Sequence, residues 1–374
     1  MIDKPRIYWY NEYEPSERTR NLPHFDTMKN ITLGSTGITT PQNAFGALPI
    51  QRDTTETAVR LLRRAYEGGM TFFDTARAYS DSEEKLGIAL SDVRGKIFIA
   101  TKTGASTPDE MKRHLETSLS LLKTDTIDIY QFHCASQCYR PGDGSGMYET
   151  MEDFKRQGMI RHIGITCHKI GVAEECVESG LYETLQFPLS YLSSERELRL
   201  VAACREKNVG FIAMKALAGG LITDSRMAMA YMTQFDNVLP IWGIQHDHEL
   251  AQWLSYMTDT PALDDDMLRR ISEDINELGE DFCRGCGYCM PCPKGIVINQ
   301  CARMSLMVRR APSQSWVNDH WKAEMEKIDN CVNCCACMVR CPYELNTPAL
   351  LRKNLEDYRK ILSGEVSVAD EKLK

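Results

Sequence analysis

The chain has 374 residues, 43% of them hydrophobic and 26% charged, with a net charge of −8. That length suits one large domain and a smaller one, and the acidic balance excludes a nucleic-acid face, which needs a basic patch to meet phosphate. No apolar run reaches membrane-spanning length and the polar start (IYWYNEYEPSER) has no signal-peptide form, so no membrane contact is expected. Of the 15 cysteines, eight fall into two compact runs near the end. Such runs point to metal in a reducing compartment rather than to disulfides, and the expected location is cytoplasmic.

In chain order, residues 1–28 mix aromatics, charges and prolines without periodicity and read as an N-terminal extension lying on the body of the protein. ITLGSTGITT, with Gly34 and Gly37, predicts a short hairpin. From Asn43, strand-like runs follow one another: NAFGALP, TFFDTA, KIFIATK, TIDIYQFH, RHIGITC, TLQFPLS, GFIAMKAL and VLPIWGI. Amphipathic stretches such as ETAVRLLRRAYEGG and DEMKRHLETSLSLLK lie between them. The alternation predicts an α/β fold, a (β/α)8 TIM barrel over 29–260. A doubly wound sheet competes, but no Gly-rich dinucleotide fingerprint follows the first strand. After Pro261 the acidic helix DDDMLRRISEDINELGE opens a second domain, 261–362, and the polar 363–374 reads as a disordered tail.

Three successive strand-like runs end in chemistry-bearing residues. TFFDTARAYSDSEEKLG delivers Asp74 and, after a turn, Tyr79; KIFIATK stops on Lys102, and TIDIYQFH on His133. An Asp at a strand end is usually a turn former and a Lys usually solvated. All four at the mouth ends of three neighbouring barrel strands point to catalysis instead. In order, spacing and flanking sequence (FFDTA-x-x-Y, TKT, DIYQFH, IRHIGIT) they resemble the catalytic tetrad of the aldo/keto reductase family, over roughly residues 30–260.

The resemblance implies an oxidoreductase that interconverts an aldehyde or ketone and an alcohol with NADP(H) or NAD(H). Tyr79 would supply the proton, Lys102 would lower the pKa of its phenol, Asp74 would hold Lys102, and His133 would hydrogen-bond the substrate oxygen. It also implies nucleotide contacts from Gly46, Thr166, Gln186, Met214, Lys215, Leu217, Gly219, Gly243 and Gln245. Several depart from the family pattern. A Ser-Asn pair reads Thr166-Cys167, a stacking aromatic reads Met214, and Gln245 stands where a basic residue often meets a 2′-phosphate. The Gly-rich segment after His133 (CASQCYRPGDGSG) reads either as a specificity loop or as plain surface; Cys134 and Cys138 in it lack metal spacing. Cys176 and Cys204 read as buried apolar residues.

The tail carries Cys283-x-x-Cys286-x-x-Cys289-x-x-Cys292-Pro293 and Cys331-x-x-Cys334-x-x-Cys337-x-x-x-Cys341-Pro342. The second run matches that of bacterial ferredoxins, in which the fourth Cys serves the other cluster. By that likeness Cys283, Cys286, Cys289 and Cys341 would hold one [4Fe–4S] cluster, and Cys331, Cys334, Cys337 and Cys292 the other. Structural zinc is the alternative. Cys301 and Cys335 are left over, and the insert between the runs (INQCARMSLMVRR, WVNDHWKAEMEKI) reads helical. The whole resembles the iron–sulfur branch of the family. A hydride carrier moves two electrons and a cluster one; no flavin motif offers a converter, although a flavin would be the usual one. Three readings follow: a carbonyl reductase with structural clusters, a relay between a redox carrier protein and a barrel-bound cofactor, or a non-catalytic electron-transfer subunit.

Overall fold

The computed structural model describes residues 27–278, 282–310 and 315–366. The readings of residues 1–26 as an extension and of 367–374 as a disordered tail fall outside them. The chain divides into two compact units: one runs up to Ala216 and resumes over Ser225–Asp265, the other combines Leu217–Asp224 with the chain from Asp266.

The first unit opens with an antiparallel hairpin, β1 (Asn30–Thr32) and β2 (Thr39–Pro41). Gly34 at its tip has φ +50°, and a Cβ there would lie 2.3 Å from the backbone nitrogen of Gly210, so only glycine lets the tip approach that strand. The hairpin's Ile31, Leu33 and Ile38 pack with Ala44, Phe72, Ile129, Ile212 and Leu239. Eight parallel strands then close on themselves: β3 (Ala44–Gly46), β4 (Phe72–Asp74), β5 (Phe98–Thr103), β6 (Ile127–Phe132), β7 (Ile160–Thr166), β8 (Thr184–Pro188), β9 (Gly210–Met214) and β10 (Val238–Gly243), with β10 paired to β3. They are the eight strand-like runs of the sequence, trimmed at their ends; Pro49 of the NAFGALP run begins a 3-10 turn instead.

Most strands are buried on successive residues, polar ones included, because both faces are covered, as a parallel barrel requires. The helices between them read from local signals. Over Thr55–Glu67, the Thr54 side chain accepts from the Thr57 amide, Ala58, Leu61, Leu62 and Ala65 make the buried stripe, and Gly68 ends the helix.

The second unit is helical, with Asp265–Leu278 leading into it and Ile298–Cys301, Met304–Arg310, Asp319–Glu326 and Thr347–Leu362 beyond. Its core gathers Ile296, Ile298, Met304, Val308, Met325, Leu351, Leu355 and Tyr358. No helix among the described residues is long and apolar enough to cross a membrane.

Candidate active site

Parallel register brings the strand ends together: Asp74 pairs with Ala100, and Lys102 with Gln131. Asp74 closes β4, Lys102 lies one residue from the end of β5, and His133 follows β6, its amide donating to Thr103 O at 2.8 Å. Lys102 Nζ donates to Asp74 Oδ1 and to Thr75 O, both at 2.6 Å, with the Asp74 and Lys102 residues only 2% and 1% exposed. The same ammonium lies 5.2 Å from the centroid of the Tyr79 ring. The Tyr79 and His133 rings meet edge to face at 5.7 Å. All four residues singled out from the strand ends therefore form one cluster.

Burial dominates their electrostatics. It pushes the Asp74 carboxyl up against the opposing charge of Lys102. It pulls Lys102 down, but the charges of Asp74 and Tyr79 outweigh it and hold the ammonium above its ordinary range. Tyr79 differs from the sequence expectation. Desolvation raises its phenol, and the lowering by Lys102 only partly offsets that. The low-dielectric site costs the phenolate more than one ammonium returns. Burial and the Lys102 charge bring His133 down to about 3, so its imidazole is neutral around pH 7.

Other residues escaped the sequence reading. His168, two residues beyond β7, is 7% exposed and is lowered to about 3 by burial, Lys215 and His133. Its only sequence signal is position, a histidine just past a barrel strand. Glu83 is also buried; it accepts from Thr101 Oγ1 at 2.6 Å and Ser118 Oγ at 2.7 Å and pairs with Arg77. Arg77 Nη2 donates to Ser80 O and its amide to Lys102 O, so this ion pair fastens the turn that carries Tyr79.

Both histidines stay neutral when folded and bind protons below about pH 6.5 when unfolded. Their stabilisation is complete above that pH and is lost as pH falls toward the folded values near 3. The acid limb of stability should therefore steepen by about two protons, roughly 2.7 kcal/mol per pH unit, and His168→Gln should remove about half. Denaturant unfolding between pH 7 and 5 reads this; an unchanged slope in the variant contradicts it.

Of the nucleotide contacts suggested by resemblance, all but Leu217 and Gly219 belong to the first unit. Thr166 Oγ1 accepts from the Cys134 amide at 2.8 Å, and Cys167 beside it is fully buried. Gln186 is buried, and its Oε1 accepts from Gln131 Nε2 at 3.1 Å. Gly46 and Gly243 pair across β3 and β10, and Met214, the last residue of β9, and Lys215 after it are half-buried. Leu217 and Gly219 belong to the second unit. Past β10, Glu249 accepts from the amides of Gln245 and His246 at 2.8 and 2.9 Å, and Gln245 Nε2 reaches Asp53 Oδ1 at 3.5 Å.

In the second unit, one cavity is lined by Cys283, Cys286, Cys289 and Cys341, and another by five cysteines, Cys292, Cys331, Cys334, Cys335 and Cys337. The fold thus groups the fourth cysteine of each run with the first three of the other. The Gly285 amide donates to Cys283 Sγ and the Lys294 amide to Cys292 Sγ, each at 3.4 Å. Cys301 and Cys204 are fully buried, and Cys176 nearly so.

The aldo/keto reductase family model matches residues 30–239, more than half of the chain. The chain belongs to the aldo/keto reductase family. A 4Fe-4S dicluster domain matches residues 282–346. An uncharacterized oxidoreductase, YrpG, of Bacillus subtilis is 30% identical over 227 residues, 52% of this chain and 68% of that protein. The aldo-keto reductase YhdN of the same organism is 27% identical over 197 residues, 49% of this chain and 58% of that one. In fold, an aldo-keto reductase of Bacillus halodurans in its holo form superposes with a TM-score of 0.59 at 22% identity, covering 66% of this chain and 96% of that one. The chain is therefore an aldo/keto reductase family oxidoreductase with a 4Fe-4S dicluster domain following the barrel in sequence.

Proposed function

We propose that the barrel interconverts a small aldehyde or ketone and the corresponding alcohol with a nicotinamide cofactor. The carrying observation is the buried Asp74–Lys102 pair beside the Tyr79 and His133 rings. The nicotinamide, when bound, supplies the hydride or receives it. In the reducing direction Tyr79 gives its Oη proton to the substrate oxygen as negative charge develops there. Lys102, fixed by Asp74 and Thr75 O, stabilises the phenolate left behind. The neutral His133 donates an N–H to the same oxygen and shares its charge. Desolvation makes each of these contacts stronger than in water. In the oxidising direction the same groups act in reverse.

Gln186, Thr166, Met214 and Lys215 are the side chains proposed to meet the nicotinamide end. The turn after β10 fits a phosphate poorly, because its amides already hold the Glu249 carboxylate and Asp53 faces Gln245. Removing that carboxylate should free the turn. Glu249→Ala should tighten NADPH by on the order of 0.3–2 kcal/mol, the range for an anion at a helix N-terminus, and leave NADH nearly unaltered. Fluorescence titration with both nucleotides tests this, and an unchanged NADPH affinity refutes it.

In the second unit, Cys283, Cys286, Cys289 and Cys341 would hold one [4Fe–4S] cluster, and Cys292, Cys331, Cys334 and Cys337 the other. The two cysteine-lined cavities and the dicluster match support this assignment over zinc. Such clusters supply one-electron chemistry. A second reading, relay from a redox carrier protein, is favoured by the exposure of Cys334 with Val332 and Val339, 59% and 85% exposed, nearby in sequence. A cytoplasmic setting suits reduced thiols.

The test is anaerobic turnover of an aldehyde and ketone panel with NADH or NADPH. Consumption of reduced nicotinamide supports the first reading. Turnover driven only by reduced viologen replaces it with the relay.

A further inference from the structure

Arg303 is a cation in an unusual place. It is 5% exposed, lies just before the Met304–Arg310 helix, and pairs with no carboxylate among the described residues. Its Nη2 donates to Gly219 O at 2.5 Å and touches Met307 Sδ at 3.1 Å, while its Nε has no hydrogen-bond partner. Leaving a guanidinium buried without an anion is costly. Nearby Arg309 has Asp357 and Arg310 has Asp274, while the half-buried Arg284 and Arg340 face rings and backbone carbonyls; Arg303 is the most deeply buried of these.

The space around Arg303 is held open by two glycines. A Cβ at Gly285 would lie 2.6 Å from Nη1, and one at Gly219 would lie 2.7 Å from the same nitrogen. Both residues have positive φ, +67° and +68°, so glycine serves the backbone and the guanidinium together. Gly285 stands between Cys283 and Cys286, and its amide donates to Cys283 Sγ. The guanidinium is thus seated against the first cysteine run, where its charge acts on Cys283.

We propose that Arg303 is the buried counter-ion of the cluster held by Cys283, Cys286, Cys289 and Cys341, and that it stabilises the reduced form of that cluster in particular. The inference rests on the [4Fe–4S] assignment above. Four thiolates around an oxidised cubane leave a net dianion, and one electron from an external one-electron donor makes it a trianion, with no bond made or broken. A fixed cation in a low-dielectric site interacts more strongly with the trianion, which raises the reduction potential. The other cavity, which contains Cys292, Cys331, Cys334 and Cys337, has its own cations in Lys294 and Arg340, so the loss of Arg303 should leave a cluster there unaffected.

The experiment is an anaerobic titration of the full chain with dithionite, followed by electron paramagnetic resonance, with iron counted per chain. Arg303→Gln removes the charge; Arg303→Lys keeps it. The expected result is a lower potential for one cluster in Arg303→Gln, an unchanged second cluster, and recovery toward wild type in Arg303→Lys. Loss of about four of the expected roughly eight irons in Arg303→Gln, restored in Arg303→Lys, supports the counter-ion role equally. Should Arg303→Gln fail to fold, the Lys variant decides alone: a wild-type pair of potentials supports the proposal, a lowered one overturns it. Full iron with both potentials unchanged in Arg303→Gln, or equal impairment in the two variants, also overturns it. Wild-type protein without iron and acid-labile sulfide would remove the cluster assignment itself, a failure distinct from unchanged potentials.

Discussion

Tyr79→Phe should lower carbonyl turnover by roughly 10²–10⁴-fold, the range for a lost general acid, while nucleotide affinity changes little. The substitution deletes one oxygen and keeps the ring that packs edge to face on His133. Burial holds the phenol above its ordinary pKa, so its proton stays on Oη across the neutral range and is available for transfer. Lys102 matters after the transfer, when the phenolate needs a cation. Single-turnover rates with saturating nucleotide test this directly. Retention of more than about a tenth of the rate would remove Tyr79 from the acid role.

Lys102→Met should disable turnover by a comparable factor and also weaken the fold, and the two effects can be separated. Lys102 and Asp74 are both buried and paired at 2.6 Å. Taking one partner from a buried pair typically costs about 3–5 kcal/mol because the other charge is stranded. Asp74, already raised by burial, would then relieve the strain by taking up a proton. The single variant should consequently regain stability as pH falls, the opposite of the histidine effect. Asp74→Asn/Lys102→Met removes both charges and should recover most of the lost stability with none of the activity. A double variant no more stable than Lys102→Met at pH 7 would show that the pair is not the source of the loss. Activity surviving in Lys102→Met would show that the ammonium does not support the phenolate.

These expectations rest on residues that were legible at different levels. The barrel strands announced themselves as short apolar runs because a parallel sheet covered on both faces needs little alternation. Asp74, Lys102 and His133 were visible because a strand that stops on a polar residue marks the mouth of the barrel. The cysteine runs were legible for another reason: cysteines three residues apart are brought together by local chain geometry, although the fourth cysteine of each cavity comes from the other run and needs the fold.

Other properties required distant residues to meet. Sequence suggested that Lys102 lowers the Tyr79 phenol, yet the sign is set by how much water the folded site excludes. His168 reads as an ordinary histidine until burial and the charges of Lys215 and His133 act on it together. Glu249 reads as a helix-opening acid, and only its bonds to Gln245 and His246 reveal that the amides of the turn after β10 already hold the chain's own carboxylate. Arg303 looks like any arginine in a helical insert. Its missing counter-charge exists only because folding carries it out of water beside Gly219 and Gly285, residues 84 and 18 positions earlier in the chain. The sequence by itself determined which groups the molecule owns and which local geometry presents them. The tertiary structure decided their charge states, because desolvation and pairing depend on neighbours that sequence spacing does not specify.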